Sequence, residues 1–138
     1  MTQRPRLARA VVCGVPVLDM IRYHRFGIGP TGIHEYGSAE IPEHFEWLYQ
    51  YSPYHRVRDG TQYPAVYLYT ALADSRVPPL HALKMTARLI EASNSDLPII
   101  LHVEAGAGHG AGKTRSQEMR GHLRIWLFLS WQLGLRWR

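Results

Sequence analysis

The 138-residue sequence is short of the features that announce several common protein classes. It has one cysteine, Cys13, so no internal disulfide can form, and a reducing, cytoplasmic setting is expected. Eight histidines are present but no pair has the His-x-x-x-His spacing that puts two ligands on one helix face, so neither a metal nor another cofactor is expected. The formal net charge of +5 comes from scattered arginines rather than a basic run, which argues against nucleic acid as a partner. The apolar stretch IWLFLSWQLG is about half the length needed to cross a bilayer, and the N-terminal MTQRPRLARAVVCGV lacks the length and cleavage site of a signal peptide, so no membrane association is expected. Internal repeats, low-complexity tracts and linkers are also missing, which leaves one domain.

What is there reads as α/β. Three β-rich runs, ARAVVCGVP (8–16), PAVYLYTAL (64–72) and PIILHVEAG (98–106), are nearly continuous in hydrophobicity and end in Gly, Asp or Pro signals, as parallel strands covered on both faces do. Between the second and third lies PPLHALKMTARLIEAS, with Leu80, Leu83, Ala87 and Ile90 at helical spacing behind prolines suited to a first turn, which makes a βαβ unit. A long helix follows the third run, with Met119, Leu123, Trp126, Leu127 and Ser130 along one stripe and Gly134 placed to stop it. A shorter helix is expected at PEHFEWLYQ, after a loop through GIGPTGIHEYGSAE.

The stretch EAGAGHGAGK (104–113) surrounds His109 with residues that offer an imidazole almost no packing and leave it reachable. Asp74 in ALADSRVPP and His109 both follow strands of the expected parallel sheet, at the edge where ligands and catalytic groups gather. A carboxylate beside an imidazole fixes the tautomer of the ring and stabilises its protonated form, as a general base requires. Taken alone, His109 also fits a plain loop histidine and Asp74 a turn residue or helix cap. Cys13, in an apolar strand with no basic neighbour, is expected to be a small core residue rather than a nucleophile. Gly106, Gly108, Gly110 and Gly112 lack the spacing of a phosphate loop.

Several blocks occur in order along the chain: TQRPRLARAVVCGVPVLDM, FGIGPTGIHEYGSAE, FEWLYQYSPYHRV, YPAVYLYTALADSRVPPLHALK and HVEAGAGHGAGK. Together they resemble the C-terminal part of the prolyl oligopeptidase catalytic domain. The resemblance implies an α/β-hydrolase fold in which residues 1–138 form a partial catalytic domain, about three parallel strands with covering helices. It implies that Asp74 and His109 complete a Ser-Asp-His triad, in the α/β-hydrolase chain order, for hydrolysis of short peptides after proline. It further implies that Arg76 binds a substrate carbonyl and that Val17, Tyr36 and Val77 line the pocket for the residue before the cut.

The sequence departs from the family in two ways. Gly32 stands where the family has a tryptophan that stacks on the substrate proline. No serine of the 138 residues lies in the G-x-S-x-G-G elbow that carries the family's nucleophile, and the β-propeller is missing as well. The expected chain is therefore the inactive tail of a serine peptidase, partnered by the missing N-terminal part or associating with itself through the exposed first strand. A non-catalytic α/β remnant and one component of a split hydrolase are the alternatives.

Overall fold

The computed structural model describes residues 1–109 and 113–136. Strands β1 (Ala10–Gly14), β2 (Ala65–Ala71) and β3 (Ile99–Glu104) form one sheet in the order β1-β2-β3. Both pairings are parallel, with Ala10 opposite Ala65 and Val66 opposite Ile99 at their starts, and Gly14 opposite Tyr69 and Ala71 opposite Glu104 at their ends. Among the described residues four α-helices connect and cover the strands: α1 (Ile33–Tyr36), α2 (Pro42–Tyr51), α3 (Leu80–Ala92) and α4 (Arg115–Leu133).

Only β2 is buried along nearly its whole length, because it is the one strand paired on both sides; β1 and β3 are half-buried. Its side chains alternate between two cores. Val66 and Leu68 pack with Met85, Leu89 and Ala92 of α3, together with Leu18, Val57 and Tyr63. Ala65 and Tyr67 pack on the other face with Phe128 of α4, the Tyr67 and Phe128 rings lying 5.5 Å apart. Tyr69 leans across β1 so closely that a Cβ on Gly14 would fall 2.0 Å from its ring, so any side chain there would have to displace the tyrosine. The next residue, Val15, has φ of 41°, a strained value for a β-branched side chain, and turns the chain out of the sheet.

Helix ends follow the expected chemistry. Pro79, already helical in its backbone angles, precedes α3 without a side-chain cap bond, while Thr114 and Gln117 form a reciprocal capping box at the start of α4 and Gly134 ends it in the left-handed conformation at φ 68°. The exposure of the helix faces departs from expectation. The stripe read from α3 points outward, with Leu83 and Ile90 exposed at 44% and 60%. The face on the sheet is instead His81, Ala82, Met85, Thr86, Leu89 and Ala92. Its polar members hid it from a hydropathy count, yet both are satisfied internally: the Thr86 hydroxyl donates to Ala82 O at 2.8 Å and His81 Nδ1 accepts from the Asp19 backbone N–H at 3.3 Å.

The α4 stripe is corrected in the same way. Met119, Leu123, Trp126 and Leu127 are all more than half exposed, and of that set only Ser130 is buried. The helix meets the sheet through Ile125, Phe128 and Leu129. Cys13 is half-buried and packs on the α3 core, and burial raises its thiol pKa, so the thiolate of a nucleophile is disfavoured.

The two faces of α3 predict opposite mutational costs. Leu89→Ala removes a fully buried side chain and should cost about 2–5 kcal/mol, whereas Ile90→Ala should stay within about 0.5 kcal/mol. Urea denaturation of both variants checks this; equal losses would contradict the assignment of the packed face.

Candidate active site

The site is built where β2 and β3 end side by side. The Leu72 backbone N–H donates to Glu104 O at 3.0 Å and the Asp74 N–H donates to Ala71 O at 3.3 Å, so both strands release their loops from one tied edge. Asp74 turns back over its own loop. Its Oδ1 accepts from the backbone N–H groups of Arg76 and Val77 at 2.9 and 2.8 Å, the self-capping bond that aspartate makes ahead of Pro78 and Pro79. Its Oδ2 lies 2.8 Å from Nδ1 of His109, and the carboxylate is fully buried.

A buried carboxylate only accepts, so the shared proton is assigned to Nδ1 and the lone pair falls on Nε2. The His109 side chain is 27% exposed, so the ring is partly accessible to another molecule. This is the tautomer and orientation of a general base whose imidazolium is stabilised by an adjacent carboxylate. The loop that carries His109 supplies little grip. Gly106 has φ of 80° with open space where a Cβ would sit, and of residues 105–108 only Ala107 is buried. Gly110 and Gly112 of the same run lie outside the described residues.

The other sequence-derived candidates fall in two places. Arg76 and Val77 belong to the bonded Asp74 loop, Arg76 exposed and Val77 half-buried. Val17 and Tyr36 lie outside it, 38% and 44% exposed. Tyr36 stands edge-on to Tyr23 at 5.7 Å, and a Cβ on Gly32 would meet those two rings at 3.2 and 3.3 Å. Tyr36 and Tyr23 thus border the place where Gly32 offers no side chain. The segment before it touches the Asp74 loop directly: Gly27, at φ 56°, would place a Cβ 3.0 Å from Pro78 Cγ and 3.4 Å from Ser75 O.

Sequence reading missed a buried ionic hub beside these loops. Asp19 is 1% exposed and pairs with Arg22 at 2.8 Å and with Lys84 of α3. Burial alone would raise its pKa, but the Lys84 bond and the positive charges of Lys84, Arg22 and His55 outweigh that and lower it. The signal was a lone carboxylate in the apolar run PVLDMI, which must find partners once buried. The hub also creates a second Ser-His-Asp grouping. Ser52 Oγ lies 2.8 Å from His55 Nδ1, which is 3.9 Å from Asp19. Ser52 is fully buried, and serine and aspartate address the same ring nitrogen, so no proton can be relayed across the ring and the grouping is structural.

Among the described residues no three His, Cys, Asp or Glu side chains gather as a metal site, and no helix is long and apolar enough to cross a membrane.

The model of the prolyl oligopeptidase family matches residues 1–136. The chain is 39% identical to the prolyl endopeptidase of Elizabethkingia meningoseptica over 137 residues, covering 99% of this chain and 19% of that protein. It is 36% identical to the prolyl endopeptidase of Dictyostelium discoideum, covering 97% and 18%. A solved structure from an analysis of two prolyl endopeptidases superposes with a TM-score of 0.95 at 45% identity, over 99% of this chain and 20% of that one. Prolyl oligopeptidase B of Galerina marginata, solved without ligand, superposes at 0.83 with 27% identity, covering 99% and 19%. The chain therefore spans about a fifth of the length of these relatives.

The hub sets an acid response. Burial lowers the pKa of His81 and of His55 below the ordinary 6.5, more than the nearby Asp19 charge raises it, with Lys84 adding to the lowering. Just below pH 6.5 the unfolded chain takes up protons that the folded chain refuses, so these histidines make stability fall as pH drops. Asp19, lowered below 3.8, contributes stability that is complete above that value and is lost as pH falls through its folded pKa. Urea midpoints should decrease from pH 7.5 to pH 5.5, and the decrease should be shallower in His81→Gln. A flat midpoint across this window would contradict the assignment.

Proposed function

The chain belongs to the prolyl oligopeptidase family, and we propose that it supplies the aspartate and histidine of a Ser-His-Asp triad for hydrolysis of short peptides after proline. The observation that carries this reading is the 2.8 Å contact between His109 Nδ1 and the buried Asp74 Oδ2. Nε2 of His109 takes the proton of the attacking serine and later gives it to the leaving amine, while Asp74 stabilises the imidazolium between the two steps. Arg76 binds a backbone carbonyl of the peptide, and Val17, Tyr36 and Val77 line the pocket for the residue before the cut. With Gly32 in place of an aromatic ring, the pocket forgoes a stacking contact of about 1 kcal/mol, and its preference for proline is weaker.

None of the 138 residues forms a G-x-S-x-G-G elbow, so the attacking serine comes from outside this sequence. In this reading residues 1–138 are a partial catalytic domain, inactive alone, that acts in the cytoplasm when joined to the N-terminal part of the enzyme. The test is complementation. The chain alone should leave every serine unlabelled by a fluorophosphonate probe. Mixed with the separately produced remainder of the Elizabethkingia prolyl endopeptidase, it should release fluorophore from a prolyl amide, and Asp74→Asn should lower that rate by about 10⁴-fold. A labelled serine in the isolated chain, or full activity in Asp74→Asn, would defeat the proposal.

A second reading is favoured by the sheet edge. β1 pairs with β2 alone among the described residues, and an apolar edge strand with free backbone groups recruits another strand. The exposed Leu123, Trp126 and Trp131 of α4 add apolar surface. The isolated chain associates with itself through this edge when nothing else covers it. Sedimentation at concentrations on the order of tens of micromolar should show dimers or larger species; a stable monomer would count against it.

A further inference from the structure

His109 follows residues 105–108, of which only Ala107 is buried and where Gly106 has open space at its Cβ position, so the elements that flank this loop bear on where the ring sits. One side chain reaches both. Glu104 is the last residue of β3, immediately before the loop, and its carboxylate Oε2 lies 3.2 Å from His102 Nε2 and 3.5 Å from Arg124 Nη1 on α4, the helix that follows the loop. Its backbone carbonyl also accepts from Leu72 N–H, two residues before Asp74. We infer that Glu104 is a positioning residue for His109, its carboxylate clamping β3 to α4 through His102 and Arg124 while its carbonyl ties the same point to the Asp74 strand.

The chemistry of the cluster makes the clamp robust. Arg124 Nη1 approaches His102 Nε2 at 2.9 Å. An arginine only donates and a carboxylate only accepts, so Nε2 cannot serve both at once. When His102 is neutral with its proton on Nδ1, Nε2 accepts from Arg124 and Glu104 is left to the arginine charge. When Nε2 carries a proton it donates to Glu104, and Arg124 turns to the carboxylate. Glu104 has a cationic or donating partner in both arrangements. The bond from His102, with the charges of His102, Arg124 and Lys113, holds its pKa below the ordinary carboxylate value, so it is ionised at neutral pH. His102 and Glu104 line a cavity of about 220 Å³ between β2, β3 and α4.

The inference rests on the Asp74–His109 pairing, so its test reads that pair directly. In the full 138-residue chain labelled with ¹⁵N-histidine, the proton shared by His109 and Asp74 should appear as a far-downfield Nδ1–H resonance, assigned by its loss in His109→Ala. Glu104→Ala should weaken or abolish it, Glu104→Gln, which keeps an acceptor oxygen, should restore it, and the Asp19 amide, which donates to His81, should keep its shift throughout. Arg124→Ala removes the other half of the clamp from a half-exposed helix position and should have the same effect even if Glu104→Ala fails to fold. An undiminished resonance in both Glu104→Ala and Arg124→Ala overturns the role of Glu104 while leaving the triad reading intact. A wild-type chain without the resonance, or one that keeps it in Asp74→Asn, overturns the pairing and with it this inference.

Discussion

The account depends on a parallel register: Ala71 of β2 lies opposite Glu104 of β3, and the two strands therefore end level. Side chains 35 positions apart in sequence meet because each follows its strand end by a short loop. A slip of one residue would turn every side chain of β3 to the other face and separate the loops. The register is fixed by burial. Ile99 and Leu101 of β3 face α3 with Val66 and Leu68, while Ile100 faces α4 with Ala65 and Tyr67, so a one-residue slip would put both sets in the wrong core.

On that edge, Asp74 and His109 are held by different means. Asp74 needs no neighbour to place it, because Arg76 and Val77 N–H groups fix one oxygen and leave the other for the imidazole. His109 is placed by its partner and by the anchorage of its loop, which is why the small residues around it are compatible with a defined position.

Much of this was legible in sequence. The three strands, the βαβ unit and the Thr114 to Gly134 helix follow from runs, caps and turn signals that are local, whereas Asp74 and His109 were singled out by their places after two strands together with the family resemblance. The inward faces of α3 and α4 were not legible, because His81 and Thr86 are buried with their polar atoms satisfied, whereas Leu83, Ile90, Leu123 and Trp126 stay exposed on a chain that spans a fifth of its relatives' length. Apolar periodicity names a face without saying what covers it. The partners of Asp19 were illegible for a related reason: Lys84, His55 and His81 reach it from distant segments, and only the fold brings them together.

The measurement that bears most directly on the pairing is the side-chain ¹⁵N spectrum of His109 at neutral pH. The account predicts a protonated Nδ1 and an unprotonated Nε2, as a buried carboxylate at Nδ1 requires. A neutral ring with the proton on Nε2 would contradict it, since that tautomer can neither donate to Asp74 nor take a proton from an incoming serine.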